Sequence, residues 1–74
     1  MSRLPRGVSY GRVIRALAKV GFYVRRQRGS HIVVRRDDPF AQVVVAAHRS
    51  IDTGTLHSIL EGAGLTADQL RTLL

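Results

Sequence analysis

Apolar and polar side chains alternate through residues 22–36, on both sides of Gly29. That arrangement restricts the fold more than any other feature of the chain. Period-two runs are strands. A glycine between two of them marks a hairpin, because it reaches positive φ without steric cost. The first run, residues 22–27, sets Phe22 and Val24 on one face and Tyr23 and Arg25 on the other. Arg28-Gly29 is the expected two-residue turn. The return strand, residues 30–36, carries Ile32 and Val34 on one face and His31, Val33 and Arg35 on the other. An isolated hairpin is marginal in water, so the remaining chain must cover its apolar face.

The flanking segments supply that cover. Asp37-Asp38-Pro39 reads as a second turn, and the valine-rich residues 42–48 as a third strand with Val43, Val45 and Ala47 inward. Ahead of the hairpin, Ser9 can cap a helix to about Val20, with Tyr10, Val13, Ile14 and Leu17 at helical spacing and Gly21 as its stop. After the third strand, Asp52 or Thr53 can cap a helix with Leu56, Ile59 and Leu60 on one face, ended by Gly62 and Gly64. Thr66 and Gln69 form a capping-box pair for a last helix, residues 67–74. The predicted order is α-β-β-β-α-α. Its simplest packing is an α+β fold, a three-stranded antiparallel sheet with helices on one face. One domain is expected over residues 1–74, with residues 1–8 as an irregular basic arm.

Charge divides the chain in two. Residues 1–36 hold ten basic and no acidic side chains, while residues 37–74 hold two basic and five acidic ones. Such asymmetry points to a polyanionic partner for the first half, nucleic acid first and an acidic protein second. There is no cysteine, so neither a disulfide nor a thiolate metal site is available. The longest apolar run, Val43 to Ala47, has five residues, against roughly 20 for a membrane-spanning helix. The first residues lack the apolar segment of a signal peptide. The expectation is a cytoplasmic protein with no membrane partner.

The densest charge lies within the hairpin. Residues 25–36, RRQRGSHIVVRR, hold five arginines and one histidine. Histidine exchanges protons near neutral pH, and arginine grips phosphate with a planar fork. Together they point to a site that holds a nucleic-acid backbone and can cut it. His31 is the candidate acid or base, with Arg26 and Arg28 as phosphate ligands and Ser30 to orient His31 or touch a phosphate oxygen. Arg25, Arg35 and Arg36 are further candidates for phosphate. Strict alternation puts Arg26 and Arg28 on the opposite pleat from Arg25, a count that the turn can break. His48 is a candidate for the second proton-transfer group if the third strand lies beside the second; otherwise it is a strand-end histidine bonded to backbone. His57, in a first helical turn, reads as surface or RNA-facing. A zinc site is not expected from three histidines without close spacing, nor a nucleotide-binding glycine loop. Ser30 is disfavoured as a covalent nucleophile, since neighbouring strand residues face opposite ways.

Several of these pieces occur together in one family. Gly21-Phe22, Arg26 to His31, Val43-Val44-Val45 followed by His48, and Gly54-Thr55-Leu56 with Ser58-Ile59-Leu60 resemble HicA-type toxins, small mRNA interferases of toxin–antitoxin pairs. The likeness covers about residues 8–74. It implies a fold like a double-stranded-RNA-binding domain and an RNase that needs no metal or other cofactor. It also implies a catalytic histidine in the Gly-Ser-His motif, here His31, and a HicB-type antitoxin that blocks the site. The family often has proline where this chain has Ala46, and a basic residue where it has His57. Neither departure is expected to touch His31.

RNA carries its own nucleophile, the 2′-OH beside each phosphodiester. Cleavage therefore requires a base, charge stabilisation and an acid for the leaving 5′-oxygen. The products would be a 2′,3′-cyclic phosphate and a 5′-hydroxyl. Two other functions fit the same residues: an RNA-binding domain without catalysis, reading shape and phosphates, and a module whose basic half meets only an acidic protein.

Overall fold

The computed structural model describes residues 4–74. Its elements are α1 (Tyr10–Ala18), β1 (Tyr23–Arg28), β2 (His31–Asp37), β3 (Phe40–Ala46), α2 (Thr53–Ala63) and α3 (Ala67–Leu73). The α-β-β-β-α-α order expected from periodicity is the order found. The strands form one antiparallel sheet, β1-β2-β3, with β2 central. Ile32, Val34, Val43 and Val45 are buried on one face, where the helices pack. On the other face Val44 is 51% exposed. The sheet is therefore covered on one side only, as a helix-backed antiparallel sheet allows.

Ser9 and Thr66 cap their helices as expected, and of the two candidates for α2 Asp52 is the cap. Ser9 Oγ accepts from Arg12 N–H at 3.3 Å, and Asp52 Oδ1 accepts from Thr55 N–H at 2.7 Å. Thr66 and Gln69 complete a reciprocal capping box. These bonds satisfy backbone donors that a first helical turn leaves unpaired. The α1 stripe differs from the predicted one: Val13, Ala16 and Leu17 are buried, while Tyr10 is 36% exposed. Leu17 contributes both its fully buried side chain and its carbonyl, which accepts from Val20 and Phe22. Leu17→Ala should cost about 2–5 kcal/mol.

Other boundaries differ for physical reasons. The first hairpin loop is Gly29-Ser30, not Arg28-Gly29, because Arg28 pairs with His31. Gly29 has φ of +58° and Ser30 is not positive, so only the first loop position needs glycine, as in type II′ turns. In the second hairpin only Asp38 and Pro39 lie in the loop, since Asp37 pairs with Phe40. β3 therefore begins at Phe40 and ends at Ala46, and His48 lies beyond it. Gly62 does not end α2 but sits within it, against Val43. A Cβ there would come 2.8 Å from Val43 Cγ1. The helix stops at Gly64, in the left-handed conformation with φ of +73°.

Of the predicted irregular arm, residues 1–3 lie outside the described residues. Its far end is not free: Val8 is 1% exposed and forms an antiparallel bridge to Ile51. That bridge and the bond from Tyr10 N–H to the His48 carbonyl, 3.1 Å, tie the start of α1 to the segment between β3 and α2.

Candidate nucleic-acid interface

One irregularity in β1 decides which arginines accompany His31. Val24 pairs with Val34 and Arg26 with Val33, so Arg25 is an extra residue with no partner of its own. Such a bulge shifts the pleat by one position. Cross-strand partners share a face. Tyr23, paired with Arg35, Arg26, paired with Val33, and Arg28, paired with His31, therefore all lie on the open face. Simple alternation separates Tyr23 from Arg26 and Arg28; the bulge reunites them. The open face then carries Tyr23, Arg26 and Arg28 from β1, and His31, Val33, Arg35 and Asp37 from β2. β3 adds Phe40, Gln42, Val44 and Ala46.

His31 stands at the first position of the central strand, exposed, between Arg28 on one side and Ala46 on the other. Directly opposed side chains have Cβ atoms about 4.5–5.5 Å apart, so the Arg28 guanidinium can reach a phosphate that also meets the imidazole. Ala46 flanks the ring with a single methyl. This corrects the expectation that the Ala46 departure is remote from His31, for the two are direct partners. Ser30 lies in the turn, and its carbonyl accepts from Ala47 N–H at 2.7 Å. Its backbone thereby pins the end of β3 to the hairpin tip that carries His31.

The other candidates are placed as follows. Arg25 is the exposed bulge residue. Arg35 donates from Nε to Gln42 Oε1 at 2.9 Å and stacks over Phe40 at 5.6 Å. Arg36 is occupied internally: its guanidinium lies 4.7 Å from the Phe22 ring centre and Nε donates to the Pro39 carbonyl at 2.9 Å. His48 follows the end of β3; its N–H bonds to the Ala46 carbonyl at 2.7 Å, a tight turn that breaks strand alternation. The nearby Asp52 carboxyl is held below its ordinary value first by the Thr55 N–H and the Thr55 side chain; burial opposes them, and the Gly54 N–H and His48 add smaller lowering effects. His57 pairs with Glu61 at 3.0 Å, both well exposed, a geometry worth little in water.

Among the described residues no three His, Cys, Asp or Glu side chains converge as a metal site would need. A hollow of about 650 Å³ is lined by Leu4, Arg6, Thr53, Gly54 and His57. It lies away from His31, so the candidate chemistry belongs to an open surface rather than to a pocket. Sequence reasoning missed two residues of this surface, Tyr23 and Phe40. Simple alternation already turns Tyr23 outward, beside its partner Arg35, whereas Phe40 pairs with Asp37 in a stretch that reads as turn.

Fold and surface together define a small α+β domain with a basic, histidine-bearing open sheet face. Over residues 10–65 the chain matches the family described as HicA toxin of bacterial toxin-antitoxin. It belongs to that family, and is thereby the toxin component of a toxin–antitoxin system, with an antitoxin as its partner. No curated protein matches the chain.

Proposed function

We propose that this toxin is an endoribonuclease acting on mRNA without a metal, with His31 as a proton-transfer group, and that its antitoxin is of the HicB type. One observation carries the reading. The Arg25 bulge sets Arg26 and Arg28 on the same open face as His31, with Arg28 directly beside it. The 2′-oxygen attacks the neighbouring phosphorus, and the P–O5′ bond breaks. A base takes the 2′-OH proton, and an acid returns one to the 5′-oxygen. The products are a 2′,3′-cyclic phosphate and a free 5′-hydroxyl. His31 serves as base or acid, and acid–base help of this kind typically contributes ~10²–10⁴-fold. Arg26 and Arg28 meet the charge that develops on the phosphorus oxygens. Ser30 and Arg25 extend contact to flanking phosphates. His48 is the candidate for the second proton-transfer group.

The test is cleavage of a single-stranded RNA by wild type and His31→Ala, with end-group analysis. His31→Ala should lose at least about a hundredfold in rate, and one 2′-deoxy substitution at the cut site should abolish cleavage there. Retained cleavage of the 2′-deoxy site would refute the mechanism. Full RNA affinity with no cleavage by either protein would leave only a binding domain.

A further inference from the structure

The open face continues well past His31, and its far end has a different chemistry. Phe40 is 68% exposed and Tyr23 is 41% exposed, an unusual allowance of aromatic surface in a chain with only four such residues. Neither ring is loose. The Tyr23 hydroxyl donates to Asp37 Oδ1 at 2.8 Å, and Asp37 pairs directly with Phe40. The Arg35 guanidinium lies over the Phe40 ring and is fixed by its bond to Gln42. An exposed ring beside a held guanidinium is a stacking surface for a planar, electron-rich group. Sequence-tolerant stacking of nucleobases on aromatic rings is the usual way a sheet face holds a single strand.

We propose that Phe40, with Arg35 and Tyr23, forms a base-binding subsite for single-stranded RNA, separate from the phosphate-binding end at His31. This rests on the reading of the open face as an RNA surface. Charge distinguishes the two ends. Around His31 the face offers Arg26 and Arg28 and no carboxylate, which suits phosphate. Around Phe40 it includes the Asp37 carboxylate, which repels phosphate but accepts from the N–H groups of a base edge. Spacing links them. Asp37 and its partner Phe40 lie six positions along β2 from His31, about 20 Å at ~3.3 Å per residue. Stacked nucleotides advance ~3.4 Å and extended ones up to about twice that. An extended strand cut at His31 thus brings a base to Phe40 about three nucleotides away. Val33 and Val44, paired across the middle of the face, give the intervening strand an apolar floor.

The experiment measures anisotropy of two labelled RNAs, a trinucleotide and a nonanucleotide, both 2′-fluoro throughout so that neither is cut. Phe40→Ala should weaken the nonanucleotide about tenfold, within the range for one stacked base, and leave the trinucleotide unchanged. Phe40→Trp should restore the longer RNA's affinity. Phe40 is exposed, so thermal unfolding should be the same in all three proteins. Unchanged nonanucleotide affinity in Phe40→Ala overturns the subsite while the RNA reading stands. Equal losses for both lengths overturn it as well, as does a loss confined to antitoxin binding. If wild type binds neither RNA, the RNA surface itself is refuted, and the subsite with it.

Discussion

Replacing both Arg26 and Arg28 with glutamine tests whether the bulge assigns the right residues to the nucleic acid. Both side chains are exposed on the open face, and neither forms an ion pair among the described residues. Their removal should therefore leave stability within about 0.5 kcal/mol of wild type. Binding should respond in a specific way. Each phosphate neutralised on a single strand contributes about 0.7 to the slope of log affinity against log salt. The double variant should lose about 1.4 from that slope. Wild-type affinity should then fall about sevenfold more than the variant's when salt rises from about 50 to about 200 mM, a fourfold change raised to that power. Arg15→Gln is the control, because Arg15 lies on α1 in the layer behind the sheet. The assay is anisotropy of an uncleavable RNA across a salt series. An unchanged slope in the double variant refutes the assignment. So does an equal loss in Arg15→Gln, which would put the strand on the helical layer.

Two further outcomes probe the scaffold. Gly62→Ala should gain about 1 kcal/mol in helix propensity but crowd Val43, at a cost of about 1–3 kcal/mol; Val43→Ala in the same background should relieve that strain, so urea unfolding of the four-protein cycle should show positive coupling rather than additivity. The depressed carboxyl of Asp52 stabilises the fold above the ordinary Asp pKa of about 3.9, and that contribution disappears as pH falls through the folded-state value. Asp52→Asn keeps a capping oxygen but does not titrate. Its melting temperature should therefore fall less than wild type's between neutral and acid pH, and an equal fall would show that the cap carries no pH dependence.

What the sequence revealed, and what it hid, divides along a physical line. Helix starts at Ser9, Asp52 and Thr66 were legible because a cap is a contact between neighbours in the chain. The three strands were legible because their alternation is local as well. The bulge was not, since one unpaired residue in β1 has no signature in composition and shows only against β2. Missing it leaves the faces of Arg26 and Arg28 undecided. The hairpin loop slipped by one residue for a similar reason: Gly29 satisfies either turn, and only the Arg28–His31 pairing chooses. Gly62 carried a stop signal that tertiary packing overrode, because Val43 needs the space a side chain would fill. Val8 looked like part of a loose arm, and its bridge to Ile51 depends on a residue far along the chain.

On the ribonuclease reading proposed above, the open geometry also bears on how a domain of this size acts on RNA. A reaction whose nucleophile belongs to the substrate does not need a deep pocket to activate a protein side chain. It needs a proton-transfer group and fixed positive charge at the right separation, and a sheet supplies both by register. His31 and Arg28 face each other because the hairpin closes on them; the bulge then keeps Arg26 on the same pleat. Such a surface gives little discrimination by enclosure, so selectivity must be distributed along the strand that lies on it. The aromatic end of the face, held by Tyr23–Asp37 and Arg35–Gln42 bonds, is placed to contribute. An antitoxin that covers this one face would then block the proton-transfer group and the substrate track together, without entering a cavity.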